Sequence, residues 1–485
     1  MKNINNQALI KNSSFIDGQW VGSTRLFDVV NPSTEGVISK IFEVTESQVE
    51  QAIVAASKAL AKWQNMPTEE RAAKLELWQK LIRDNIEDIA RIITLEQGKP
   101  LAEAKAEIIH STNYIKLYAS LIEEVSKPCS VLSDDDQLAK VYKKPIGVVS
   151  AITPWNFPCS MVLRKSGAAL AAGCTLVLKP SELTPLTATA LIQLSIDAGI
   201  PQGVINLVVG SNSQMIGKVL TQHSKVAKVS FTGSTKVGKQ LLTQCALGVK
   251  RTSMELGGNA PFIVFEDADI NKAVDSAIAS RFRNSGQTCV CANRFIVQES
   301  IADYFIHKLI DRISYLRVLD GFESQSDMGP LINPDAVAKM KSLIKTATKQ
   351  GAKILYGGEL ITGKGYFFKP TLLDHVNSNM DIFNQEIFGP ILSVTRFENK
   401  KQALQLANES NQGLAGYIFT QDNKLIENFS NQLEVGMLGI NEVKLSNPNA
   451  PFGGVKESGM GREGGRYGIE DYLDYQYVCQ TKTPA

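Results

Sequence analysis

From residue 146 onward, short apolar runs alternate with amphipathic stretches. IGVVSAI, TLVLK, INLVVG and KVSF are apolar throughout and of strand length. Between them the pattern predicts helices over Leu163–Ala172, Pro185–Ala198 and Gln214–Leu220, and another from Ser234. Strands that are apolar on both faces and alternate with helices predict a parallel sheet covered on each side. Such sheets take ligands at the carboxyl ends of their strands, so the residues just after each strand matter most. A second α/β region is predicted over 256–455.

The N-terminal part reads differently. FIDGQWVGSTRLFDVVNPSTEG has the alternation and turn residues of a small hairpin. Thr45-Glu46-Ser47-Gln48 fits a capping box, and Val49, Ile53, Ala56, Leu60 and Trp63 then recur at helical spacing. Another helix starts at Thr68, where Glu69 and Glu70 suit the positive end of the helix dipole. Segment 123–145 follows this helical scaffold, and its acidic tip Asp134–Asp136 reads as a solvated turn. The stretch GIEDYLDYQYVCQ, 468–480, is strand-like and aromatic, either an ordinary edge strand or one that pairs with a partner subunit.

Composition narrows the class. A chain of 485 residues is too long for a single core and implies two or three domains. A net charge of +2 with no basic stripe points away from nucleic acid. The N-terminus lacks the apolar run of a secretory signal, and no apolar run approaches the roughly 20 residues of a membrane span. Seven cysteines at irregular spacing do not form a secreted disulfide framework. The expectation is a reduced, cytoplasmic protein with neither nucleic-acid nor membrane partners.

Candidate chemistry sits after the strands. PWNFP places Asn156 at one strand end, as an amide donor or as a loop staple. LKPSELTP places Lys179 and Glu182 in one turn, where they either hold the two hydroxyls of a ribose or pair with each other. FTGSTKVG puts Gly233 and Ser234 at a helix N-terminus, where free N–H groups can face a phosphate. MELGGNAP sets Glu255 before two glycines, as a loop charge or a general base. The formal G-x-G-x-x-G match at Gly459, Gly461 and Gly464 has only 21 residues after it, too few for the βαβ unit that motif requires. In FRNSGQTCVCANR, Cys289 and Cys291 are one residue apart. Zinc sites want four ligands, and the remaining cysteines and four histidines do not cluster, so no metal is expected.

Taken in order, PWNFP, LKPSELTP, FTGST, ELGG, GQTC, EIFGP (386–390) and PFGGVKESG (451–459) resemble the aldehyde dehydrogenase superfamily across essentially the whole chain. That resemblance implies an α/β fold with a parallel Rossmann-type cofactor domain over 1–122 and 146–255. It also implies an α/β catalytic domain over 256–457 and a small β oligomerisation element over 123–145 and 470–485. It makes Cys289 the nucleophile, Asn156 with the Cys289 N–H the oxyanion hole, and Glu255 the base that activates water. Lys179 and Glu182 would hold the adenosine ribose and Glu386 the nicotinamide ribose. Pro154, Trp155, Gly233, Ser234 and Phe388 would complete the cofactor site. NAD or NADP is the implied cofactor, NAD being favoured because Glu182 repels a 2′-phosphate.

GQTCVCANR is similar in particular to the succinate-semialdehyde dehydrogenases, whose carboxylate-binding positions fall on Arg164, Arg283 and Ser446. An arginine fork suits a distal carboxylate. The implied partners are therefore a small aldehyde with a distal carboxylate and further copies of the chain, as a dimer or tetramer. Glutarate semialdehyde or another aldehyde is the alternative substrate. Cys291 is either a small core residue or a redox partner that closes a disulfide on Cys289.

Overall fold

The computed structural model describes residues 4–131 and 137–481, so the acidic turn expected at Asp134–Asp136 lies outside the described residues. Two large sheets organise the chain. The first has eight strands among the described residues, in the order Gln19–Val21, Ser14–Ile16, Ile205–Leu207, Thr175–Lys179, Val148–Ile152, Val226–Thr232, Arg251–Glu255 and Gly459–Met460. Its five central strands are parallel, and the outer ones are antiparallel additions. The second has seven strands, in the order Lys353–Tyr356, Thr371–Asp374, Ile391–Phe397, Ala292–Gln298, Ala260–Val264, Ala415–Phe419 and Met437–Ile440. All its pairs are parallel except the first.

The elements follow the local chemistry. Ser14–Ile16 and Gln19–Val21 form the expected hairpin, its turn made by Asp17 and Gly18 at φ 48° and 82°. A second hairpin, Leu26–Val30 with Val37–Phe42, occupies the rest of that stretch. Thr45 caps the helix Glu46–Gln64 in a reciprocal capping box with Gln48, and Val49, Ile53, Ala56 and Trp63 are buried. Thr68–Asp84, Ile86–Gln97 and Leu101–Ser126 complete the helical scaffold. Trp63 and Trp78 are fully buried and donate their indole N–H groups to the Leu170 and Leu191 carbonyls, which locks this scaffold onto the first sheet's helices.

Three boundaries differ from the sequence expectation. The helix expected from Leu163 begins at Pro158, because a proline at the first turn needs no N–H partner and presets φ. The strand expected over INLVVG is confined to Ile205–Leu207. The strand expected over 468–480 begins only at Leu473: Gly464 and Gly465, at φ 78° and 57°, turn the chain into a short helix, Gly465–Glu470, first. From Leu473 to Thr481 the chain pairs antiparallel with Gln137–Pro145, which also pairs with Cys129–Val131. No helix among the described residues is long and apolar enough to cross a membrane.

Candidate active site

The carboxyl ends of three parallel strands in the first sheet open into a cavity of about 260 Å³. Pro154, Trp155 and Asn156 follow Val148–Ile152, Gly233 and Ser234 follow Val226–Thr232, and Glu255 ends Arg251–Glu255. Cys289, Lys339, Glu386 and Phe388 close it from the other side. Residues drawn from six separate segments therefore meet in one space.

The loop before Cys289 is bent by three consecutive left-handed residues, Asn284, Ser285 and Gly286, at φ 51°, 57° and 73°. Non-glycine residues adopt this conformation only when their surroundings hold them there. Asn284 supplies that hold. Its backbone N–H donates to Glu103 at 3.0 Å, and its side-chain oxygen accepts from Gln97 at 2.9 Å. Its amide nitrogen donates to the Asn156 carbonyl at 3.0 Å and to the Gln287 carbonyl at 3.1 Å. Asn156 in turn donates one amide hydrogen to the Gln287 carbonyl at 3.0 Å, and its own carbonyl accepts from Lys99 at 2.8 Å. Lys99, buried, is paired to Glu107 at 2.5 Å. The Asn156 loop and the Cys289 loop are thus a single hydrogen-bonded unit. Sequence reading missed Asn284, Gln287, Lys99 and Glu107; the left-handed Asn284-Ser285-Gly286 run was the one local signal, because asparagine and glycine tolerate it best.

Cys289 is half-buried and free. Burial, with Glu386 and Glu255 nearby, pushes its thiol up to about 12. Glu255 is buried, and neither of its carboxyl oxygens has a hydrogen-bond partner. Burial, then the negative charge of Glu463, raises its pKa well above the usual carboxylate range. Glu463 is itself held in the charged form by Lys165 at 2.6 Å and Arg164 at 3.4 Å. Glu255 lies opposite Gly459 in the antiparallel pair with Gly459–Met460. The glycines of the apparent dinucleotide fingerprint thus pack against the Glu255 strand: a Cβ at Gly459 would stand 1.8 Å from the Met254 carbonyl oxygen.

A cradle for an extended ligand surrounds these groups. Glu386 accepts from the Gly258 N–H at 3.0 Å, and a Cβ at Gly257 would stand 2.7 Å from its other oxygen. Phe388, at φ 54°, packs edge-on against Trp155 with ring centroids 5.5 Å apart. Ser234 caps the helix Thr235–Ala246. Thr153 and Thr232, at adjacent strand ends, carry buried hydroxyl oxygens without a protein partner. Lys179 and Glu182 do not line the cavity; they pair at 3.4 Å at the end of the neighbouring strand, and Ser213 donates to Glu182 at 3.4 Å. Orphaned hydroxyls, a side-chain-free floor at Gly257 and the strand-end position suit a nicotinamide dinucleotide. Among the described residues no group of three His, Cys, Asp or Glu could hold a metal ion.

Of the residues expected at the acid end, Arg164 and Ser446 meet elsewhere, and Arg283 stands apart from that contact. Arg164 is buried between the rings of Tyr114 and Phe452, at 4.7 and 4.4 Å, and donates to Ser446 Oγ at 3.4 Å. Arg283 is exposed and lies over the Phe157 ring at 5.4 Å. Both positive charges act on His110. Cys291 is buried, donates to the Ser280 carbonyl at 3.1 Å and accepts from Arg281 at 3.3 Å.

Comparison with known proteins finds relatives along nearly the whole chain. The chain is 46% identical over 473 residues to a glutarate-semialdehyde dehydrogenase of Pseudomonas putida, covering 97% of this chain and 98% of that one. It is 46% identical over 481 residues to a 3-sulfolactaldehyde dehydrogenase of Pseudomonas putida, covering 99% of each. It is 44% identical over 478 residues to the succinate-semialdehyde dehydrogenase [NADP(+)] GabD of Escherichia coli, covering 98% and 99%. Among solved structures, an NADP-dependent enzyme of E. coli superposes with a TM-score of 0.97 at 44% identity, covering 99% and 100%. A betaine aldehyde dehydrogenase of Staphylococcus aureus in complex with NAD+ superposes at 0.95 with 36% identity, covering 99% and 97%. The sequence profile of the aldehyde dehydrogenase family matches residues 20–478, and this chain, with its strand-end cavity and its loop-held thiol, belongs to that family.

Proposed function

We propose that the protein oxidises succinate semialdehyde to succinate, with Cys289 as nucleophile. The observation that carries the substrate reading is the buried Arg164 guanidinium donating to Ser446 Oγ at 3.4 Å, with His110 Nε2 2.8 Å from the same oxygen. A guanidinium and a hydroxyl in one place suit an anionic tail. Glutarate semialdehyde is the second reading, supported by the named activity of a relative at 46% identity. One methylene separates the two acids, and that difference is worth only about 1–3 kcal/mol.

The residues divide the work as follows. The Cys289 sulfur attacks the aldehyde carbon, and the oxygen that becomes negative is held by the second amide hydrogen of Asn156 and the Cys289 N–H. Losing one such donor typically costs about 2.7–4 kcal/mol of barrier. A nicotinamide cofactor held there would supply the hydride acceptor that turns the Cys289 adduct into a thioester. Glu255 then takes a proton from the water that attacks this thioester. Its raised pKa makes it a stronger base than an exposed carboxylate. Glu386, Phe388 and Trp155 position the nicotinamide end, Pro154, Gly233 and Ser234 the pyrophosphate, and Lys179 with Glu182 the adenosine ribose. Glu182 accepts well from a 2′-hydroxyl and repels a 2′-phosphate, which favours NAD.

In this reading residues 1–122 and 146–255 bind the cofactor and 256–457 carry the catalytic cysteine. Segments 123–145 and 470–485 serve assembly into a dimer or tetramer. The test is the absorbance rise at 340 nm with succinate semialdehyde, glutarate semialdehyde and butanal, each with NAD and with NADP. Succinate semialdehyde with NAD should give the highest kcat/KM. Equal rates with butanal would remove the acid-end reading, and no rise with any pair would remove the dehydrogenase itself.

A further inference from the structure

The loop that carries Ser446 meets the long helix Leu101–Ser126 through His110. Its Nε2 lies 2.8 Å from Ser446 Oγ. Arg164 donates to the same oxygen at 3.4 Å, and the Tyr114 hydroxyl stands 3.4 Å away. The Tyr114 ring meets the imidazole edge-on, centroids 5.5 Å apart at 81°, and supports its plane.

A serine hydroxyl has one proton to give and two lone pairs to receive with. Arg164 has no acceptor and fills one lone pair. The state of His110 decides the rest. An imidazole with a bare Nε2 would take the serine proton, and Ser446 could then donate to nothing else. An imidazole with Nε2–H fills the second lone pair and leaves the serine proton free for the Tyr114 hydroxyl or an incoming anion.

Burial and the charges of Arg164 and Arg283 push His110 down to about 4, so the ring is neutral at physiological pH and adds no third positive charge. What it contributes is direction. An anion beside the Arg164 guanidinium is best met by a serine hydroxyl free to donate, which selects the Nε2–H form.

We infer that His110 is a specificity-determining positioning residue: its Nε2–H holds Ser446 Oγ so that the serine hydroxyl donates to the anionic tail of the aldehyde. The inference rests on the acid-end reading above and goes beyond it by naming the group that fixes the polarity of the serine. His110 touches the substrate only through Ser446.

The experiment compares kcat and KM for succinate semialdehyde and butanal in the wild type, His110→Leu, His110→Gln, Ser446→Ala and the His110→Leu/Ser446→Ala double variant. His110→Leu should raise KM for the acid roughly tenfold with little change in kcat, so the acid-over-neutral ratio of kcat/KM falls by the same factor. His110→Gln, which keeps an N–H donor, should recover most of that ratio. The double variant should be no worse than Ser446→Ala alone, because both changes remove one interaction.

An unchanged ratio in His110→Leu overturns the role of His110 and leaves the acid-end reading standing. A wild type without preference for the acid overturns both. Equal losses on both aldehydes with a lowered melting temperature, or no recovery in His110→Gln, show a packing role and also overturn it.

Discussion

At Cys289 and Glu255, burial keeps protons on two groups that lose them in the proposed mechanism. Both pKa values are raised, so the reactive forms become populated as pH increases. The rate should climb from pH 7 towards 9, and a pH profile of kcat checks this. Glu255→Gln should lower steady-state turnover at least ~100-fold while a stoichiometric burst of reduced cofactor survives, because water activation falls after hydride loss. Asn284→Ala should lower kcat roughly tenfold, because it frees both the Asn156 loop and the Cys289 loop. If Cys291 closes on Cys289 under peroxide, it must first leave the Ser280 carbonyl and Arg281. Inactivation should then be reversed by dithiothreitol in the wild type and not in Cys291→Ala. Asn156 was legible because it stands at the end of a readable parallel strand. Glu255, and Cys289, which follows the helix Ile270–Phe282 and its loop, were legible only through the ELGG and GQTC motifs. Asn284, Lys99 and His110 were not, since their partners stand 128, 57 and 336 positions away along the chain.

Helices and strands show the same division between local and distant causes. Thr45 and Gln48 satisfy each other within one turn, so that helix start is readable from four residues. Thr45→Ala should cost about 1 kcal/mol in urea unfolding. The helix Pro185–Asp197 has no side-chain cap of its own. Glu96, fully buried and 90 positions away, accepts from the N–H groups of Leu186 and Thr187 at 2.8 Å each and from the Thr187 hydroxyl. Glu96→Ala should therefore cost about 3 kcal/mol or more, as it leaves buried donors unsatisfied. Alternating apolar runs announced four of the five parallel strands at the centre of the first sheet, and Arg251–Glu255 was not among them. Nothing periodic announced the antiparallel Gly459–Met460 strand, two residues long and made by backbone alone. The late start of the strand at Leu473 was hidden for a related reason: two left-handed glycines decide it, and the aromatic alternation that follows them masks the helix.

Across the whole molecule, the strand Leu473–Thr481 leaves large apolar side chains in the open: Tyr475 is 56% and Tyr477 62% exposed. Such a surface on a nine-residue edge strand is where a further copy of the chain is expected to dock. Tyr477→Asp should shift the protein to a smaller species in light scattering after size exclusion. The C-terminal stretch also reaches the reaction centre without contributing a reacting group. Asp474 pairs with Arg251 at the start of the Glu255 strand, Gly459 pairs with Glu255 at its end, and Glu463 lies between, bound to Lys165 and Arg164. The strand that presents the base is thus clamped at both ends by one short run of chain, and that run continues directly into the exposed edge. Displacing that edge bears on both ends of the Glu255 strand, so trimming the tail should slow turnover before it lowers the melting temperature.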